Sequence, residues 1–440
     1  RGLAADARDA ARIAIMAGLD MSMASGIYRD HLPSLVQAGE VPMERVDEAV
    51  GRVLALKERL GLFEDPFHRM DLQRQQARMR TKPALSLARE AAQRSIVMLK
   101  NDGDLLPLPR KGKRIAIIGP FAEGPSNLHG PWTLFADNKE AVDLASAVRS
   151  AVNDPSLVTV VKGSETTAPL DGGLDAAVAA ARAADIIILA IGEREAMSGE
   201  GASRDLIVVP APQQALAEAV AATGKPMVVA LRNGRALALE GAILNAPAIL
   251  VTWFLGSEMG NAVADILFGA TGPSGRLPVS FPISAGQVPY YYAHRRPGRP
   301  ANARYITSKY EARFPFGYGL TYGKISYSDL IFSSRQLARD GRLRVTVTVK
   351  NEGKYAAKEL VQLYVQDVVA SVTQPIRELK AYKHVDLAPG RSQQVIFDLA
   401  ITDLAFLGVD LKPAIEEGKF KLWIAPSAEA AGLAGEFEVS

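Results

Sequence analysis

The chain has 440 residues, 51 basic and 48 acidic side chains, a net charge of +3, 48% hydrophobic residues and no cysteine. This balance is that of a folded chain of several domains and argues against disorder and against nucleic-acid or membrane partners. Disulfides, thiolate metal sites and a cysteine nucleophile are excluded outright, and no apolar run reaches the roughly 18–20 residues that cross a bilayer.

The chain opens on a helical pattern, with neither an initiator methionine nor a signal pattern, which reads as a start in mid-domain. A helix is predicted over 6–16, stopped by Gly18. A second is predicted after Pro42, where Val46, Val50, Val53, Leu54 and Leu60 form an apolar stripe that Gly61 ends. Met16, Met21, Met23 and Tyr28 suit core packing or an apolar wall. Residues 65–83, polar and rich in Arg and Gln, read as a linker.

Beyond a helix over 84–95, four short apolar runs carry the pattern of strands buried on both faces: 114–119, 185–190, 226–231 and 248–253. Helical stretches over 173–184 and 212–222 lie between them. The alternation predicts a layered α/β domain with a mostly parallel sheet, and ligands of such sheets collect beyond the carboxyl ends of the strands. The loops after Gly119, Gly192 and Trp253 are therefore the places to look for chemistry.

From 286 to about 322 Pro, Gly, Tyr and Arg dominate, including Tyr290-Tyr291-Tyr292 and the run Arg295–Pro300, as in a long ordered connection. Strict alternation over 343–350, the turn Asn351-Glu352-Gly353, further strands at 361–365, 393–399 and 419–424, and the turn Pro389-Gly390 predict a β-sandwich of about seven short strands.

The loop 192–205 follows a buried strand and holds Glu193, Glu195 and Glu200. Gly199 and Gly201 flank Glu200, which lets its carboxyl approach a ligand closely, as a general acid must; an acidic surface loop has the same composition. In the turn Gly119–Gly124, Phe121 stands where a dinucleotide fingerprint needs its second glycine, so no nucleotide cofactor is expected. The five histidines show no metal-ligand spacing, so no metal is expected, and no Gly-x-Ser-x-Gly elbow is present. Trp132 and Thr133, after the first buried strand, are candidates for binding a sugar face, with a packed core tryptophan as the other reading.

Ala17–Met21, Ser95–Asn101 with Leu105–Leu108, Gly272–Pro278, Phe314–Leu320 and Glu378–Tyr382 resemble, in this order, segments of glycoside hydrolase family 3, the β-glucosidase family. The resemblance implies the end of a (β/α)8-type barrel (1–64), the linker (65–83), an α/β sandwich (84–285), a connecting segment (286–325) and a fibronectin type III-like domain (326–440). It implies a retaining exo-β-glycosidase acting on terminal β-linked glucose. The nucleophile would be an aspartate in a Ser-Asp-Trp-like segment upstream of the first helix; Asp6, Asp9 and Asp20 do not match it. The acid/base glutamate falls on Glu200, with Glu193 as runner-up. The resemblance implies no cofactor, a small saccharide and the upstream barrel as partners, and a periplasmic or secreted protein. A homodimer is a further partner considered, and a non-catalytic carbohydrate-binding module is the alternative function.

Overall fold

The computed structural model describes residues 2–135, 137–295 and 306–440, in two compact units, residues 1–81 and 82–440. The run Arg296–Pro300 lies outside the described residues.

In the first unit, α1 (Ala7–Met16), α2 (Ile27–Gln37) and α3 (Met43–Arg59) surround a core of Ala11, Ile15, Leu35, Val41 and Ala49. Asp6 caps α1 by accepting the Asp9 amide at 2.8 Å. Met16, Met21 and Met23 are exposed, so they do not pack this core, while Tyr28 is half-buried and donates to the Leu19 carbonyl. Inside the expected linker, Leu72–Arg78 forms α4, because Asp71 accepts the Arg74 amide and good helix formers follow.

The second unit begins with α5 (Lys82–Ser95) and β1 (Val97–Asn101). β2 (Ile115–Ile118), β3 (Val158–Val161), β4 (Ile186–Gly192), β5 (Met227–Arg232) and β6 (Ala248–Val251) complete a six-stranded sheet in the order β1-β6-β5-β4-β2-β3. Every pair is parallel except β1 with β6. Successive side chains of one strand enter opposite cores. Ile117, Ile188 and Leu250 pack with α6 (Leu144–Ala151) and α10 (Met259–Leu267). Ile118, Leu189 and Val229 pack with α7 (Gly173–Ala183), α8 (Ala211–Ala221) and α9 (Gly241–Asn245). Apolar layers on both sides explain why these strands read as unbroken apolar runs. The edge strand β3, with only Val158 buried, has no such run and escapes a sequence reading.

The connection that follows is ordered by aromatic contacts. Tyr292 stacks on Phe316 at 4.1 Å, and the Tyr290 hydroxyl donates to Glu429 at 2.6 Å. The C-terminal strands are β7 (Ile325–Phe332), β8 (Gln336–Leu337), β9 (Arg342–Asn351), β10 (Ala357–Asp367), β11 (Glu378–Leu387), β12 (Ser392–Ala400), the small pair β13 (Phe406–Leu407) and β14 (Pro413–Ala414), β15 (Gly418–Ala425) and β16 (Leu433–Val439). Sheets ordered β11-β10-β15-β16-β8 and β12-β9-β7 enclose a core that includes Val345, Val347, Leu363, Phe397 and Leu422. Buried Asn351 organises the predicted turn: its amide donates to the Tyr355 and Leu387 carbonyls, and its oxygen accepts from Gly353 and Lys324.

Candidate active site

In this sheet the chain runs outward from β2 to β3, then crosses back to place β4 on the other side of β2. The strand order reverses there, and the loops after β2 and β4 diverge to leave a crevice at their carboxyl ends. The end of β4 is held rigidly. Gln213 of α8, fully buried, accepts the Gly192 amide at 2.7 Å and donates to the Gly192 carbonyl at 2.9 Å. Gly192 has φ +133°, and a Cβ there would lie 1.8 Å from the Arg232 carbonyl oxygen of β5, so only glycine fits.

Beyond Gly192 the loop folds over Glu193, whose carboxylate is 0% exposed. It pairs with Arg204 at 2.7 Å and Arg235 at 3.0 Å and accepts from the Gly234 amide and the Ser198 hydroxyl. The same arginines tie the loop back on itself. Arg204 donates to the Val208 carbonyl, and Arg235 donates to the carbonyls of Met197 and Ala202. Sealed between two cations, Glu193 has no path to a substrate oxygen; its surroundings are those of an anchor.

Glu200 is exposed at the outer turn of this loop. Gly199 and Gly201 on either side have φ +99° and +72°, and a Cβ on Gly199 would come 2.9 Å from Pro131 Cβ. Glu200 lines an open cleft of about 560 Å³ together with Pro131, Trp132, Thr133, Glu195 and Ser198, a size suited to small-molecule sites. Trp132 is 73% exposed and is not a core residue; the Thr133 hydroxyl donates to the His129 carbonyl at 3.3 Å. The loops after β2 and β4 thus bring Trp132, Thr133 and Glu200 to one cleft, tied together by the Glu195 amide, which donates to the Asn127 side chain. The loop after Trp253 contributes support, with Phe254 set against Gly130.

Gln213 on α8 and Arg235 beyond β5 meet the loop only in three dimensions, and Ser198 and Arg204, though in the loop itself, follow no spacing that marks an anchor, so motif reading misses the set. The arginine count near the loop was the one available signal, since a fully buried carboxylate requires cationic partners.

Residues 96–322 match the glycosyl hydrolase family 3 C-terminal domain, and residues 359–428 match a fibronectin type III-like domain. The chain is 38% identical over its whole length to a periplasmic beta-glucosidase of Salmonella typhimurium and 33% identical over 98% of its length to a beta-xylosidase of Formosa agariphila. It spans 61% of each of these relatives. A beta-glucosidase from Listeria innocua, solved in complex with glucose, superposes with a TM-score of 0.92 at 35% identity, over 100% of this chain and 61% of that one.

Proposed function

This chain belongs to glycosyl hydrolase family 3, and from that premise we propose that it supplies the acid/base half of a retaining exo-β-glycosidase that releases terminal β-linked glucose from oligosaccharides and glucosides. The observation that carries this reading is the placement of Glu200: a solvent-facing carboxyl on a rigidly anchored loop, at the sheet's switch point, on the wall of a cleft shared with exposed Trp132.

In this mechanism an aspartate from upstream sequence attacks the anomeric carbon while Glu200 donates a proton to the departing glycosidic oxygen. Glu200 then takes a proton from a water whose oxygen displaces the aspartate, giving net retention. The two carboxyl groups must come within about 5–5.5 Å of each other. Trp132 offers a ring face for an apolar sugar face, and Thr133 a hydroxyl at the same rim. The chemistry needs proton transfer and a carboxylate nucleophile, so no cofactor enters it.

Residues 1–64 serve in this reading as the end of the catalytic barrel, which is consistent with the exposed Met16, Leu19, Met21 and Met23 on so small a unit. The resemblance to a periplasmic relative favours a periplasmic protein; among the described residues no helix is long and apolar enough to cross a membrane.

The test is release of p-nitrophenol from its β-glucoside by a protein comprising this chain and its upstream sequence. Glu200→Ala should lower kcat by about 10²–10⁴-fold, with azide partly restoring turnover, whereas Glu195→Ala on the same cleft should not. Unchanged turnover in Glu200→Ala rejects the assignment. The xyloside belongs in the same assay, given the similarity to a beta-xylosidase. Because Trp132 is exposed on this chain alone, carbohydrate binding without catalysis is the second reading; quenching of tryptophan fluorescence by a β-glucoside, with no turnover in the longer protein, would favour it.

A further inference from the structure

Glu195 shares the cleft with Glu200 but is held differently. Its amide donates to the Asn127 side chain at 3.2 Å, and it opens the short 3₁₀ turn Glu195–Met197. The residue is half-buried on the cleft wall, beside Trp132, Thr133, Ser198 and Glu200. Among the described residues its carboxylate has neither an ion pair nor a hydrogen bond. Glu193, two positions earlier, meets two arginines, a hydroxyl and an amide.

The other polar side chains on this wall are engaged. The Thr133 hydroxyl donates to the His129 carbonyl and the Ser198 hydroxyl to Glu193, and Glu200 must carry the proton that an acid gives up. Glu195 is left as an acceptor. A fixed cation lies near it: Arg232 at the end of β5 is 3% exposed, and Glu195 is the acid whose charge favours it. The two form no direct ion pair, so the carboxylate oxygens remain open to the cleft. An ionised carboxylate only accepts hydrogen bonds, and the donors that a neutral saccharide offers are hydroxyls.

The reaction decides which part of the substrate Glu195 meets. With net retention the aspartate attacks the anomeric carbon from one face, and the glycosidic oxygen departs from the other, where Glu200 protonates it. The wall that carries Glu200 therefore borders the leaving group. We propose that Glu195 accepts hydrogen bonds from hydroxyls of the leaving sugar, and so makes the site prefer saccharides to glycosides whose leaving group has no further hydroxyl. This inference rests on Glu200 as the acid/base and gives that site a specificity-determining residue; Glu195 takes no part in the proton transfer.

The test compares two kinds of leaving group on the protein that includes the upstream sequence: p-nitrophenol, released from its β-glucoside, and glucose, released from laminaribiose and cellobiose. In Glu195→Ala the ratio of kcat/KM for the better disaccharide to that for the p-nitrophenyl glucoside should fall about 10-fold or more, chiefly through KM. Glu195→Gln, which keeps one acceptor oxygen, should fall less. An unchanged or raised ratio overturns the proposal, as does a parent protein that cleaves neither disaccharide. An equal loss on both substrates with a lowered Tm also overturns it, because Glu195 would then serve only as the counter-charge to Arg232. If Glu195→Ala fails to fold, the ratio in Glu195→Gln decides. Full turnover in Glu200→Ala would instead reject the acid/base reading, so the two failures are told apart.

Discussion

Removing the Glu193 carboxylate takes from the half-buried Arg204 and Arg235 the fully buried counter-charge that they share. Loss of one partner of a buried ion pair costs about 3–5 kcal/mol, so Glu193→Gln should lower Tm by several degrees, read by calorimetry. Activity would fall with it, because the loop that presents Glu200 hangs on this anchor. Glu200→Ala deletes a solvated side chain and should leave Tm within about 1–2 °C of the parent, since exposed substitutions are near-neutral. The pair of variants separates an anchoring from a chemical role: one loses stability first, the other turnover alone. Trp132→Ala, likewise exposed, should raise KM about 10-fold or more with little change in Tm if the ring stacks on a sugar; an unchanged KM would remove Trp132 from the binding site.

At the scale of the element, the loop after β4 depends on backbone conformations that a side chain resists. Gly199→Val adds a branched Cβ at φ +99° against Pro131, a strain of about 1–3 kcal/mol. An exposed loop yields to such strain by moving, so kcat should drop more than Tm; parent-like kcat would show that the loop's position is not critical. The sandwich strand β10 ends at Asp367, which desolvation, with a contribution from Glu416, raises from 3.8 to about 6. The folded state then holds a proton that the unfolded chain releases between these values. Its contribution to stability is complete below pH 3.8 and is lost as pH rises through about 6. Denaturant unfolding should therefore show Asp367→Asn gaining stability over the parent from pH 4 towards pH 7; parallel profiles would refute the assignment.

At the scale of the molecule, the α/β domain and the sandwich are joined by the Arg276–Glu359 pair at 2.9 Å, with both side chains 5% exposed. Glu359→Gln should cost about 3–5 kcal/mol and split one unfolding transition into two, measurable by calorimetry; a single parent-like transition would show that the pair is dispensable. The sequence by itself determined the layered α/β domain and the sandwich. Continuous apolar runs such as 185–190 and alternating ones such as 343–350 report directly whether a strand is buried on two faces or one. It also offered Glu200 as the candidate acid/base, on its two flanking glycines and the family resemblance, and the fold leaves that side chain exposed on the cleft wall. What only the tertiary structure decided was which glutamate of the loop is sealed and which is free, and that Trp132 faces solvent. Burial and pairing are set by residues from Gln213 on α8, from Arg235 beyond β5 and from Phe254 beyond β6, far apart along the chain and brought together by strand order, and no local pattern encodes that meeting.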